Sequence, residues 1–92
     1  MIQSFKSNET KDLFEGKNVK VYESFARVAR RKLEMIHAAM ELNDLKVPPG
    51  NRLEMLRGKR SGEWSIRIND QWRICFIWDD GVAHKVQIEN YH

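Results

Sequence analysis

Apolar side chains recur every third or fourth residue in the first half of the chain and every second residue in the second half. That change of period predicts helices followed by sheet. From about Tyr22 to Asn43, the stripe Tyr22, Phe25, Ala29, Leu33, Ile36 and Met40 marks one long helix, with Glu23, Arg27, Arg30, Glu34 and Glu41 opposite. A narrower shoulder of Val28, Met35, Ala39 and Leu42 must meet something other than the sheet. Ahead of it, Ser7 or Asn8 is placed to cap a short helix carrying Leu13 and Phe14, which Gly16 ends. Met1 to Phe5 reads as an edge strand, and Pro48, Pro49 and Gly50 stop helical structure and open the sheet region.

Alternation allows a closer reading of the strands. In Glu63 to Asn69, Trp64, Ile66 and Ile68 share one face and Ser65 and Arg67 the other; in Trp72 to Trp78, Trp72, Ile74, Phe76 and Trp78 turn inward. Both apolar sets meet the same helix only if the turn between them holds an odd number of residues. A loop of Asn69, Asp70 and Gln71 pairs Ile68 with Trp72 and Ile66 with Ile74, and it puts Arg67 across from Arg73. Like charges so placed are unfavourable without a shared anion. A loop of Asp79, Asp80 and Gly81 pairs Trp78 with Val82, Ile74 with Val86 and Trp72 with Ile88. Gln87, Glu89 and Tyr91 then share the arginine face, while the terminal His92 need not obey the alternation.

Size and composition bound the reading. Ninety-two residues, 41% hydrophobic and 32% charged, predict one globular domain spanning 1–92. No apolar run is long enough to cross a membrane, and Met1 to Phe5 lacks a signal-peptide pattern, so no membrane partner is expected. The lone Cys75 excludes an internal disulfide and a cysteine-anchored zinc site, and a reducing, cytoplasmic location is the default. Net charge is only +3, but residues 52–73 hold Arg52, Arg57, Lys59, Arg60, Arg67 and Arg73 against Glu54, Glu63 and Asp70. A local excess of that kind makes a field that a phosphate-rich partner can feel.

The chemistry that fits such a face is RNA cleavage by internal transfer. A base takes the 2′-hydroxyl proton, cations stabilise charge on the phosphate, and an acid protonates the departing 5′-oxygen. Neither metal nor cofactor is signalled: there is no glycine-rich phosphate loop, no cysteine pair and no His-x-x-x-His. Arg73 and Arg67 are the best phosphate ligands because a guanidinium presents its donors in a fixed fork. The bland alternative for each is a strand ion pair, with Glu63 or Glu89. Arg57, Lys59 and Arg60 in the GKRSG turn are either RNA-steering cations or a solvated loop. Glu54 is a candidate base, although cationic neighbours favour its anion and weaken it as a proton acceptor. It serves equally as a charge-balancing partner for Arg52 or Arg57. His92 titrates near neutrality and is a candidate proton donor, or simply a frayed end. Tyr91 is placed to stack on a base or to seal the sheet edge. His37 and His84 read as structural, and Cys75 has no histidine paired with it.

The segment PPGNRLEMLRGKRSGEWSIRINDQWRICF, followed by Tyr91-His92, resembles the HigB branch of the RelE/ParE toxin superfamily over nearly the whole chain. The resemblance implies an α+β, RelE-like (microbial ribonuclease-like) fold: a curved, mostly antiparallel sheet with two N-terminal helices packed on one face. It also implies a toxin of a type II toxin–antitoxin system, an mRNA interferase that enters the ribosomal A site and cuts the message during translation. Its partner would be a HigA-like helix-turn-helix antitoxin, with operator DNA reached only through the antitoxin complex. By position, Arg73 would hold the scissile phosphate, His92 would donate the proton and Tyr91 would position the substrate.

Three positions depart from some HigB relatives, which carry histidine at Glu54, lysine at Arg57 and aspartate at Asn90. YoeB-type toxins use a glutamate base at the place matching Glu54, so that change preserves the chemistry. Arg57 keeps the cation but gives up lysine's capacity for proton transfer. Asn90 removes a carboxylate. Two other readings compete: a ParE-like, non-enzymatic inhibitor of DNA gyrase, and an RNA-binding module that never cuts.

Overall fold

In the computed structural model, which describes residues 1–91, Ser7 opens helix α1 (Asn8–Phe14) by accepting a 3.1 Å hydrogen bond from Thr10 N on its Oγ. Thr10 is fully buried, and its Oγ1 accepts from Ile88 N at 3.0 Å, so the cap also docks the helix onto the sheet. Gly16, at φ 92°, lets the chain reverse after the last turn.

Helix α2 is shorter than its apolar stripe predicts. Lys20–Phe25 wind as a 3₁₀ helix, and α2 proper covers Ala26–Ala38, not Tyr22 to Asn43. At the far end Ala39 turns extended (ψ 133°), and the Asp44 carboxylate accepts from the backbone N–H groups of Met40 and Glu41, both at 3.0 Å. That local capping competes with continued helix. Met40 therefore leaves the stripe and is 81% exposed, while Tyr22, Ala29, Leu33 and Ile36 stay buried. Tyr22 and Phe25 gather around Trp72 with ring centroids 5.9 and 5.1 Å away, which ties the 3₁₀ segment to the sheet.

The strands β1 (Glu54–Met55), β2 (Glu63–Arg67), β3 (Trp72–Asp79) and β4 (Val82–Asn90) form an antiparallel sheet in sequence order. Met1 to Phe5 lies parallel along the outer edge of β4, with bridges Ile2–Ala83 and Phe5–Val86, an edge segment as expected. The β2–β3 hairpin has the expected register: Ile66 faces Ile74 and Arg67 faces Arg73.

The β3–β4 register differs from the expectation by two successive one-residue shifts in the same direction. Asp80 and Gly81 both take positive φ (50° and 77°), so the turn has two central residues and pairs Asp79 with Val82 and Trp78 with Ala83. Asp-Gly suits that mirror-image turn. A bulge follows, with Lys85 at φ 52°, and beyond it Ile74 faces Ile88 and Trp72 faces Asn90. Each one-residue shift exchanges the two faces of a strand, and two shifts restore them. Val86 and Ile88 thus still reach the core with Leu13, Leu33, Ile36, Ile66, Ile74 and Phe76, and Glu89 still faces the arginine side.

Candidate functional site

Arg73 sits in the middle of the polar face and is only 7% exposed. A buried guanidinium is tolerated only when its donors are satisfied. Its Nε donates to Ser65 Oγ at 2.8 Å, and its Nη2 donates to the carbonyls of Arg52 (2.6 Å) and Ser65 (3.3 Å). These three acceptors are neutral, so they orient the fork without cancelling its charge. Arg52 holds a left-handed conformation (φ 45°, ψ 57°), which aims its carbonyl at Arg73. None of these bonds uses Nη1.

Around this anchor the fold gathers residues from distant segments. Glu54, more than half exposed, places Oε1 3.2 Å from Arg73 Nη2. Arg67 lies beside Arg73 as its cross-strand neighbour and pairs with the nearly fully exposed Asp70. The like-charge contact is thereby relieved from both sides, by Glu54 and by Asp70. Tyr91 is anchored by its backbone N–H, which donates to Gln71 O at 2.7 Å, and its ring lies 5.6 Å from Arg73 Cζ. Arg52, Leu53, Glu54, Arg67, Asn69, Asp70, Arg73 and Tyr91 enclose an open pocket of about 480 Å³.

Of the candidate residues, Glu54, Arg67, Arg73 and Tyr91 meet at this pocket. His92 lies outside the described residues. Arg57 and Lys59 are exposed on the loop between β1 and β2, and Arg57 lines a neighbouring hollow of about 350 Å³ on the other side of Tyr91. Arg60, in the same loop, is engaged differently. It donates to Glu63 from Nε (3.1 Å) and Nη2 (2.9 Å), and to Glu89 from Nη1 (2.8 Å) and Nη2. The guanidinium holds both carboxyls below the ordinary carboxylate range, chiefly through these bonds, and they raise its own pKa further. Glu63 and Glu89, candidate partners for the strand arginines, are thus taken by the loop arginine.

The remaining chemistry-bearing side chains are structural. Cys75 is buried, and its thiol is pushed up to about 12, first by burial and then by Glu89. It stays protonated and is no nucleophile. His37 accepts from Ile2 N at 3.1 Å on Nδ1 and packs on Phe14. Among the described residues no three His, Cys, Asp or Glu side chains cluster so as to hold a metal ion, and no helix is long and apolar enough to cross a membrane.

Residue patterns alone gave no site role to Arg52, Ser65 or Asn69. Ser65 carried a signal, since it shares the strand face of Arg67. Arg52 was legible only as one cation of the basic stretch; that its carbonyl, in a left-handed turn, holds Arg73 was not.

The sequence model of the HigB-like toxins, described as RelE-like toxins of the type II toxin–antitoxin system HigB, matches residues 3–92. Toxin HigB-1 of Vibrio cholerae serotype O1 is 55% identical over 53 residues, 58% of this chain and 56% of that toxin. The match thus spans little more than half the length of the Vibrio toxin. Endoribonuclease HigB of Proteus vulgaris is 36% identical over an alignment of 93 positions that covers 100% of both chains. Among solved structures, the YoeB dimer from Staphylococcus aureus superposes with a TM-score of 0.62 at 16% identity, covering 99% of this chain and 97% of that one. At that identity the likeness concerns the fold, which is α+β and RelE-like.

Proposed function

The chain belongs to the HigB-like toxins of type II toxin–antitoxin systems, and on that premise we propose that it is an endoribonuclease that cuts messenger RNA and is held inactive by an antitoxin. The observation that carries the reading is the buried Arg73, oriented by neutral acceptors and open to a pocket that Glu54, Arg67 and Tyr91 share.

In this reading the scissile phosphate sits on Arg73, with Arg67 and Arg52 adding cationic character around it. A phosphate on that guanidinium lies beside the Glu54 carboxylate, which accepts the 2′-hydroxyl proton. The 2′-oxygen then attacks phosphorus, the bond to the 5′-oxygen breaks, and a 2′,3′-cyclic phosphate results. His92 is the proposed donor to the departing 5′-oxygen. Tyr91 stacks on a neighbouring base and keeps it in register. Arg57 and Lys59 attract the nucleic acid over a longer range.

The pocket is open and has few proton-transfer groups, so orientation of the substrate must supply much of the rate. The ribosomal A site is the proposed source of that orientation. A HigA-like helix-turn-helix antitoxin is the proposed partner, with operator DNA contacted only through their complex. The deciding experiment programs ribosomes with a defined message and adds wild-type protein, Arg73→Ala or His92→Gln. Wild type is expected to cut in the A site and both variants to fail while remaining folded. Toxicity that persists in both variants with gyrase-type DNA damage would establish the ParE-like alternative instead.

A further inference from the structure

Arg60 lies in the basic loop that reads as an RNA-steering surface, yet its side chain does not behave as a free cation. Its fork is divided between Glu63 on β2 and Glu89 on β4, residues from separate strands. With both carboxylates on its fork, Arg60 has no surplus positive charge of its own to offer a phosphate. Glu89 lies two residues before Tyr91, and Arg60 lies three after Arg57. The hollow that Arg60 and Glu89 help to line has Arg57 and Tyr91 on its other walls.

We infer that Arg60 is a positioning residue: by gripping Glu63 and Glu89 at once, it fixes the Arg57–Ser61 loop to the strand end that carries Asn90 and Tyr91. This rests on the endoribonuclease reading for its catalytic consequence, and it takes Arg60 out of the set of RNA ligands. A guanidinium is needed because only its planar fork reaches two carboxylates in one geometry; an ammonium is a point charge. The grip on Glu89 and the Tyr91 N–H bond to Gln71 together hold the strand end.

The test compares wild type, Arg60→Lys and Glu63→Gln in ribosome-programmed cleavage at several salt concentrations, together with amide hydrogen exchange of the free proteins. Arg60→Lys is expected to lower kcat about tenfold or more, as misplacement of a positioned group does, with KM and the salt slope of binding unchanged. Glu63→Gln, which leaves the Glu89 grip in place, moves kcat the same way by less. Amides of residues 57–62 and 89–91 exchange faster in Arg60→Lys while those of the β3 core do not. Three results overturn the inference. One is wild-type kcat and exchange in Arg60→Lys. Another is a raised KM with a shallower salt slope at unchanged kcat, which marks direct phosphate contact. The third is faster exchange throughout the sheet, which marks a purely stabilising role. Absence of cleavage by wild type removes the ribonuclease reading alone, and the exchange pattern still decides the positioning role.

Discussion

Arg73 and Arg60 are the same residue type in the same basic stretch, and the fold treats them in opposite ways. Arg73 is bonded mainly to neutral oxygens, the Ser65 hydroxyl and the carbonyls of Ser65 and Arg52, and among the described residues touches one half-exposed carboxylate, that of Glu54. Arg60 is clasped by two partly buried carboxylates through four hydrogen bonds. Neutral acceptors fix a guanidinium's direction and leave its field intact, whereas carboxylates fix it and neutralise it. An arginine's neighbours, more than its exposure, therefore separate a ligand-binding cation from a brace. Arg73 is the more buried of the two and the better suited to hold a phosphate.

The largest effect expected from breaking this contrast is at Arg73. Arg73→Ala should lower cleavage by about 10²–10³-fold, the loss typical of one electrostatic stabiliser of a developing oxyanion. Ribosome-programmed single-turnover rates, with circular dichroism to show an intact fold, measure it. Next comes Ser65→Ala, which strands the Arg73 Nε donor in a fully buried position. A loss of about 1–3 kcal/mol in urea unfolding is expected, because a buried donor to a lost partner keeps its desolvation cost. A cleavage rate below wild type should accompany it.

Acid should dissolve the brace, because Glu63 and Glu89 must both be charged to hold Arg60. Glu63 and Glu89 have folded-state pKa values lowered by Arg60, so their contribution is fully present above the ordinary carboxylate pKa. It is lost as pH falls through the lowered values. Stability should be flat from neutrality to about pH 5 on this account and decline below about pH 4, near and under the unfolded glutamate value. Thermal melts of wild type and Glu63→Gln across that range compare the two, and the variant should show the shallower acid decline. A variant as steep as wild type would refute the assignment of that decline to the clasp.

The smallest effect lies in the loop. Lys59→Gln removes an exposed cation that contacts no reacting atom, so kcat should hold. The slope of log binding against log salt should fall by about 0.7–0.9, one phosphate's share. A change in kcat without a change in slope would move Lys59 from steering to chemistry.

Much of this architecture was legible before any coordinates. The period of three to four gave the buried face of the 3₁₀ segment and α2 through Tyr22, Ala29, Leu33 and Ile36, and the period of two gave the inward set Trp72, Ile74 and Phe76. Turn length and alternation together gave the facing pair Arg67 and Arg73. The β3–β4 register was not legible, because a two-residue turn and a downstream bulge at Lys85 each shift the pairing by one. Beyond the bulge parity survives the two shifts, so Val86 and Ile88 keep the core face with other partners, whereas between turn and bulge the faces are exchanged and Ala83, not Val82, is fully buried. Met40 departs from its stripe because Asp44 captures the backbone N–H groups of Met40 and Glu41 and the helix ends before it.

The amino-acid order alone determined most of which side chains are buried and which share the polar face, since both follow from repeat spacing of a few residues; Met40 and Ala83 are exceptions set by the helix end and the β3–β4 turn. Tertiary structure alone decided what each charged group on that face meets. Glu89 reaches Arg60 across 29 positions of chain, and the Arg52 carbonyl reaches Arg73 across 21. Local spacing carries no information about such partners, because a salt bridge depends on where separate strands come to lie. For that reason six basic residues of one stretch look alike as letters, while in the folded protein Arg73 is poised toward a pocket and Arg60 is locked between two carboxylates.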